Sequence, residues 1–182
     1  MKFFFVPFLL FMTLHIFGQE TFIAKSGFVA FEASVPTFEE IKAENNKVTA
    51  IFKTDTGDIA VLALVQGFRF PIALMEEHFN ENYAESERYP KTMFLGKIIE
   101  FSKEKIKSRE TVAISLAGSF TFHGITKQIQ VPATICFKDA HYLLSAKFSL
   151  AAADYNIKIP KIVRNKIADD ISVQLLFKLF KK

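Results

Sequence analysis

Between residues 111 and 137 the chain alternates apolar and polar side chains almost without interruption, and few folds accommodate that pattern. In residues 111–122, Val112, Ile114, Leu116, Phe120 and Phe122 fall on one side and Thr111, Ser115, Ser119 and Thr121 on the other. This is the period of two expected of a strand with one dry face. Residues 128–137 repeat it, with Ile129, Val131, Ala133, Ile135 and Phe137 together. Between them lies His123-Gly124-Ile125-Thr126-Lys127, in which Gly124 can take the positive φ that a tight reversal needs. The two runs make a long β-hairpin. Its apolar face must be buried against a second sheet, a helix or its own curled continuation.

The rest of the chain supplies the continuation. Residues 21–35 hold a first strand bent at Gly27, in which Val29, Phe31, Ala33 and Val35 alternate with Glu32 and Ser34. Residues 36–47 have the composition of one helical turn or an irregular connection, with Asn45-Asn46 near its end. Residues 48–55 and 58–65 are strands joined by the turn signal Thr56-Gly57. The second is apolar on both faces, so its outer face needs a cover. An amphipathic helix beginning after Pro71, with Ile72, Met75, Phe79 and Tyr83 on one stripe, is the expected cover, a mobile lid over a cavity mouth being the other reading of that stripe. A strand at 92–101 follows Tyr89-Pro90, and residues 102–110, with Lys103, Lys105, Lys107 and Arg109, form a solvated turn. Beyond the hairpin, Asp139-Ala140 turns into a strand at 141–150. A basic loop or short helical insert at 154–166 is then closed by Asp169-Asp170. Ile171, Val173, Leu175, Phe177 and Leu179 alternate in a final strand that can pair with the first. The count of about eight strands predicts a mainly β fold, an up-and-down antiparallel barrel with one amphipathic helix.

Residues 1–18 stand apart. Lys2, an apolar run over 3–14 broken only by Pro7 and Thr13, and the small Gly18 ahead of Gln19-Glu20 have the layout of a secretory signal peptide. The run is short for a spanning helix, which needs about 20 apolar residues. The expectation is a single domain over residues 19–182, periplasmic or secreted after cleavage. Without Lys2 there are 22 Lys and Arg against 19 Asp and Glu, a net charge of +3, too mild to argue for nucleic acid. Cys136 is the only cysteine, so no intramolecular disulfide forms; it shares the polar parity of Gln128, Gln130 and Thr134. His78, His123 and His141 are far apart, and no HExxH, CxxC, GxSxG or P-loop is present, so neither a metal nor a catalytic signature emerges. His78 and Asn82 share a helical face as a polar pair on the outside. Of the 22 Phe, sixteen follow residue 18, and there is no Trp. Such a surplus suits a Phe-rich packed core or the wall of a cavity, and composition does not choose between them.

A resemblance adds to this reading. Phe79-Asn80-Glu81-Asn82-Tyr83, Glu85-Ser86, Tyr89-Pro90, Phe94 and Gly96, in that order, resemble the signature of the YceI-like family of secreted lipid-binding proteins. His123-Gly124-Ile125-Thr126-Lys127 resembles the family's second signature, and Gly27-Phe28-Val29-Ala30-Phe31 and Asp154-Tyr155-Asn156-Ile157 agree in position and type. Ala152 and Asn156 depart from it, where many members carry Arg and Gly. The resemblance implies a lipocalin-like extended eight-stranded barrel with an apolar cavity that holds a polyisoprenoid lipid, an isoprenoid quinone or a prenyl phosphate. It implies binding or sequestration without catalysis and with no cofactor or metal. The alternative is a filled barrel acting as a structural or partner-binding module of the cell envelope. The expected cavity wall is Phe31, Phe68, Phe70, Phe79, Val112, Ile114, Leu116, Phe120, Phe122, Phe148, Val173, Leu175 and Phe177. The expected head-group contacts are His123, Lys127, Lys158, Lys161 and Arg164, with Lys166 in the same basic cluster. Transient contact with a membrane surface and a homodimer are left open.

Overall fold

The computed structural model describes residues 20–35 and 38–182. The signal-peptide expectation lies outside the described residues. Eight strands follow one another: β1 (Thr21–Ser34), β2 (Lys42–Lys53), β3 (Asp58–Leu64), β4 (Lys91–Ile98), β5 (Val112–Phe122), β6 (Ile125–Lys138), β7 (His141–Ala151) and β8 (Ile167–Lys181). Each pairs antiparallel with the next, and β8 returns to β1 to close a barrel. Helix α1 (Ala73–His78) runs into one turn of π-helix at Phe79–Tyr83, and a short helix α2 (Lys103–Ile106) precedes β5.

The opening hairpin forms as expected and is tighter than its loop suggests. Phe122 and Ile125 face each other, leaving only His123 (φ 49°) and Gly124 (φ 73°) at the tip. Two residues with positive φ make the turn whose twist matches the flanking strands. The next hairpin uses the same device, with Lys138 opposite His141 and with Asp139 (φ 50°) and Ala140 (φ 60°) between them.

β1 bends where Gly27 was expected to bend it. The register slips between Ala24 and Gly27, so the inward residues change from Phe22 and Ala24 to Gly27, Val29, Phe31 and Ala33. A Cβ on Gly27 would lie 2.3 Å from Cδ1 of Phe177, so only glycine lets that ring pack against the strand. The expected irregular connection at 36–47 is corrected in its second half. Lys42, Ala43 and Glu44 already pair with Glu32, Phe31 and Ala30, and pairing with β1 overrides the weak β propensity of 42–47. Asn45 is buried there, its Nδ2 donating to the Leu64 carbonyl at 3.1 Å while its Oδ1 accepts from the Lys47 amide at 2.9 Å.

The two ends of the barrel differ. At the end carrying the β2–β3 and β6–β7 turns, Phe22, Phe52, Phe137 and Tyr142 interlock, with centroids 4.7–6.4 Å apart. Burial pushes the Tyr142 phenol up to about 12, so it stays neutral at physiological pH. The turn at 102–110 is solvated as expected at Lys105, Lys107 and Arg109, but it also plugs this end of the barrel with one side chain. Ser102 caps α2 by accepting from the Lys105 amide at 3.3 Å, Ile106 is 2% exposed in the core, and Lys103 pairs with Asp55. Strand β4 accordingly stops at Ile98, and Glu100 (φ 50°) turns the chain toward the plug. Asp169 and Asp170 belong to β8 and do not close the preceding loop. Cys136 keeps its expected outward parity, its thiol donating to the Arg109 carbonyl at 3.3 Å.

Ala140 holds a left-handed backbone that costs an L-residue with a Cβ roughly 1–2 kcal/mol. Ala140→Gly is therefore expected to stabilise the fold by about 1 kcal/mol, raising Tm by about 2–4 °C for a chain of this size. An unchanged or lowered Tm in thermal unfolding followed by circular dichroism contradicts this.

Candidate functional site

Above the plug, the inward residues enclose a chamber of about 400 Å³, within the usual range of about 300–1,000 Å³ for small-molecule sites. Its wall follows from strand alternation. Leu116, Phe120 and Phe122 of β5, Ile129 and Val131 of β6, Leu144, Phe148 and Leu150 of β7, and Ile171, Val173, Leu175 and Phe177 of β8 all point in. Opposite them, Val29, Phe31 and Ala33 of β1 and Ile59, Val61 and Ala63 of β3 complete the ring. Room is left partly by Gly96 and Gly118, which sit directly across from each other. A Cβ on Gly118 would lie 2.3 Å from the Leu95 carbonyl oxygen, so the two strands approach there as only glycine allows.

Two long connections form the mouth. In the first, residues 65–90, Phe68 and Phe70 meet Phe31 and Phe79 in an aromatic group with centroids 5.3–6.1 Å apart. The Arg69–Glu76 ion pair, and the Phe70 amide donating to Glu76 Oε2 at 3.1 Å, fix the start of α1. Met75, His78, Phe79 and Tyr83 then line the chamber. The expectation that this helix covers the outer face of β3 is corrected. The stripe closes over the barrel's own end, which offers it more apolar surface, and outward Leu64 of β3 stays 55% exposed. His78 lines the mouth while remaining exposed, as Asn82 does.

The second connection, residues 152–166, carries Ala152, Tyr155, Ile157, Ile159 and Val163 into the chamber wall. The Tyr155 ring packs 5.5 Å from Phe120 and 6.1 Å from Phe122, and burial first, then Asp154, raises its phenol above the ordinary value. The β5–β6 turn ties both connections together. His123 Nδ1 lies 2.8 Å from the Tyr155 carbonyl oxygen and its Nε2 lies 3.2 Å from Glu85 Oε1, while Tyr89 stacks edge-on at 4.7 Å. A Cβ on Gly124 would come 2.5 Å from Tyr89 Cε1. Among the residues that carried the resemblance, Glu85, Tyr89, His123, Gly124 and Tyr155 are thus joints of the mouth.

Eleven of the thirteen residues named for the wall stand in it: Phe31, Phe68, Phe70, Phe79, Leu116, Phe120, Phe122, Phe148, Val173, Leu175 and Phe177. Val112 and Ile114 do not, because they pack against the buried core below Leu116. The polar set is dispersed. His123 is taken up by the joint, Lys127 pairs with Asp154, and Lys158, Lys161 and Arg164 lie off the chamber wall. Lys166 does line it, with its Nζ 6.0 Å over the Phe38 ring. Sequence reasoning missed Phe94, Met75, Tyr83 and Tyr155, along with Ile157, Ile159 and Val163. The alternation of Ile157 and Ile159 with Lys158 was a legible signal that one side of the basic loop faces inward. Among the described residues no three His, Cys, Asp or Glu side chains group to hold a metal.

A closed eight-stranded antiparallel barrel around an apolar chamber defines a lipocalin-like binding architecture. The YceI-like domain model matches residues 20–179, and the chain belongs to that family. It is similar to a solved polyisoprenoid binding domain from Saccharophagus degradans, with 13% identity, 91% of this chain and 100% of that one covered, and a TM-score of 0.77. It is also similar to Burkholderia cenocepacia BcnA (14% identity, 84% and 95% covered, TM-score 0.69). A third likeness is to the Campylobacter jejuni YCEI protein (16% identity, 80% and 86% covered, TM-score 0.59). At these identities the likeness establishes the fold. No curated protein matches the chain.

Leu116 and Val131 face each other at the chamber floor. Val131→Phe pushes a ring into the space above and is expected to weaken binding of the apolar fluorophore N-phenyl-1-naphthylamine about tenfold, the equivalent of 1.4 kcal/mol. Unchanged fluorescence titration by a folded variant contradicts an open chamber.

Proposed function

We propose that this protein binds and carries an amphiphilic lipid of polyisoprenoid type, such as an isoprenoid quinone or a prenyl phosphate, with the tail in the chamber and no chemistry performed on it. The observation that carries this reading is the chamber itself, about 400 Å³ walled almost entirely by Phe, Leu, Ile, Val and Ala. A filled structural barrel has no use for such a space, and an unfilled apolar void destabilises a fold by lost contacts. The name of the Saccharophagus degradans domain supports the same guest class. The implied working place is the periplasm or the medium.

The affinity comes from the tail. Burying apolar carbon is worth roughly 0.8 kcal/mol per CH₂, so one five-carbon isoprene unit contributes about 3–4 kcal/mol before ordering costs. A hydrogen bond to a charged group nets roughly 1.5–3 kcal/mol. A few units therefore outweigh any single polar anchor.

Organic extraction of the protein recovered from the periplasm or medium of its native source, followed by mass spectrometry, is expected to yield an isoprenoid lipid at near-equal stoichiometry. Folded Phe120→Ala and Phe148→Ala variants are expected to carry much less. Native protein that yields no lipid contradicts the proposal.

A further inference from the structure

The barrel wall is not laddered along its full height. β6 pairs with β5 from Val112↔Ile135 to Phe122↔Ile125, and β7 pairs with β8 from His141 to Ala151. Between themselves, β6 and β7 pair only from Ala133↔Ala146 to Lys138↔His141. Carrying that register toward the mouth would set Val131 against Phe148, Gln130 against Ser149 and Ile129 against Leu150. No ladder forms there, and these residues instead line a second cavity of about 280 Å³ between the strands. Pro132 stands where the strands part; it has no N–H to offer the next rung, so the ladder ends there.

The slot has two characters. Its inner side is the chamber wall, since Ile129, Val131, Phe148, Leu150 and Tyr155 line both spaces. Its outer side is polar. Gln128 and Gln130 donate at 2.8 Å to the hydroxyls of Ser119 and Ser115, Ser149 is exposed, and the Lys127–Asp154 ion pair spans the top. The facing main chains add N–H donors and C=O acceptors with no ladder between them. Elsewhere the chamber offers few polar atoms, so an amphiphile lying in it finds the nearest mixed donor and acceptor surface here.

We infer that this slot is a side opening of the chamber and the subsite for the polar end of the bound amphiphile, and that it takes an uncharged hydrogen-bonding group, a hydroxyl or a carbonyl. The inference rests on the lipid reading of the chamber. An uncharged group fits because the polar side of the slot is made of amides, hydroxyls and main-chain groups, and Lys127 on its lining already has Asp154 as its partner. The unladdered edges, a liability on an open sheet, serve here as the head group's partners.

The test places Ser149→Cys, or Gln130→Cys in a second variant, on a Cys136→Ser background, with Ile162→Cys on the mouth loop as the control. All three positions are exposed. Each protein is loaded with farnesol, uptake is measured by native mass spectrometry, and the rate of maleimide alkylation is followed. Farnesol is expected to slow alkylation about tenfold at positions 149 and 130, the equivalent of 1.4 kcal/mol, and to leave position 162 unchanged. Farnesane, which has the same chain without the hydroxyl, is expected to be taken up without protecting the slot. Farnesol uptake with unprotected slot positions, or with protection at 162 instead, overturns the slot and leaves the chamber reading standing. Equal protection by farnesane overturns the polar assignment, and absence of any uptake overturns both the slot and the chamber.

Discussion

The pairing of β8 with β1 is the contact on which the rest of the molecule depends. Until it forms, both strands are bare edges and the apolar face of the sheet has nothing to close upon. The first and last strands make this joint, with Phe22 opposite Lys181 at one end and Ser34 opposite Ile167 at the other. Lys181 holds Glu20 at 2.8 Å, and the Lys182 amide donates to the Thr21 carbonyl at 2.9 Å. Closure demands strong curvature, which β1 and β2 supply through register shifts at the same level, with the Phe177 ring filling the space over Gly27.

Once closed, eight strands leave an interior that side chains can either fill or leave open for one small ligand. This barrel does both. The lower half is packed by interlocking aromatics and plugged by Ile106. The upper half carries its Phe rings on the wall, where Gly96, Gly118 and the alanines leave the middle clear. The rim is then held by polar joints rather than by strand ladders, and His123 is the chief of these. The unladdered stretch of β6 and β7 belongs to the same half. The packed core thus lies toward one end of the barrel and the chamber toward the other.

Much of this was legible in the residues. Period-two alternation marked the strands of the barrel, and its phase within β5 and β8 assigned the inward residues, because a strand's side chains have only two directions to take. The same logic overreached at Val112 and Ile114. Alternation says which side chains point inward but not how far along the barrel the packed core ends, and that level is set by α2, whose charged sequence hides its one buried isoleucine. The strand at 42–47 was hidden by Asn45, a buried polar residue whose partners, the Leu64 carbonyl and the Lys47 amide, are known only once the chain is folded. The polar residues of the motifs were legible as important but not as joints. His123 carries the chemistry of a head-group contact in isolation, and its actual partners lie 32 and 38 residues away. The slot had a single visible token, Pro132 inside an otherwise regular strand.

The upper half of the barrel, on this reading, is an open chamber for a chain-like guest. A crystal structure of the protein purified from its native source, without delipidation, decides between an occupied chamber and a filled one. Elongated density is expected to run from the floor at Leu116 and Val131 past Phe120 and Phe148. An upper half in which the Phe rings of the wall have turned inward to fill the space would contradict it.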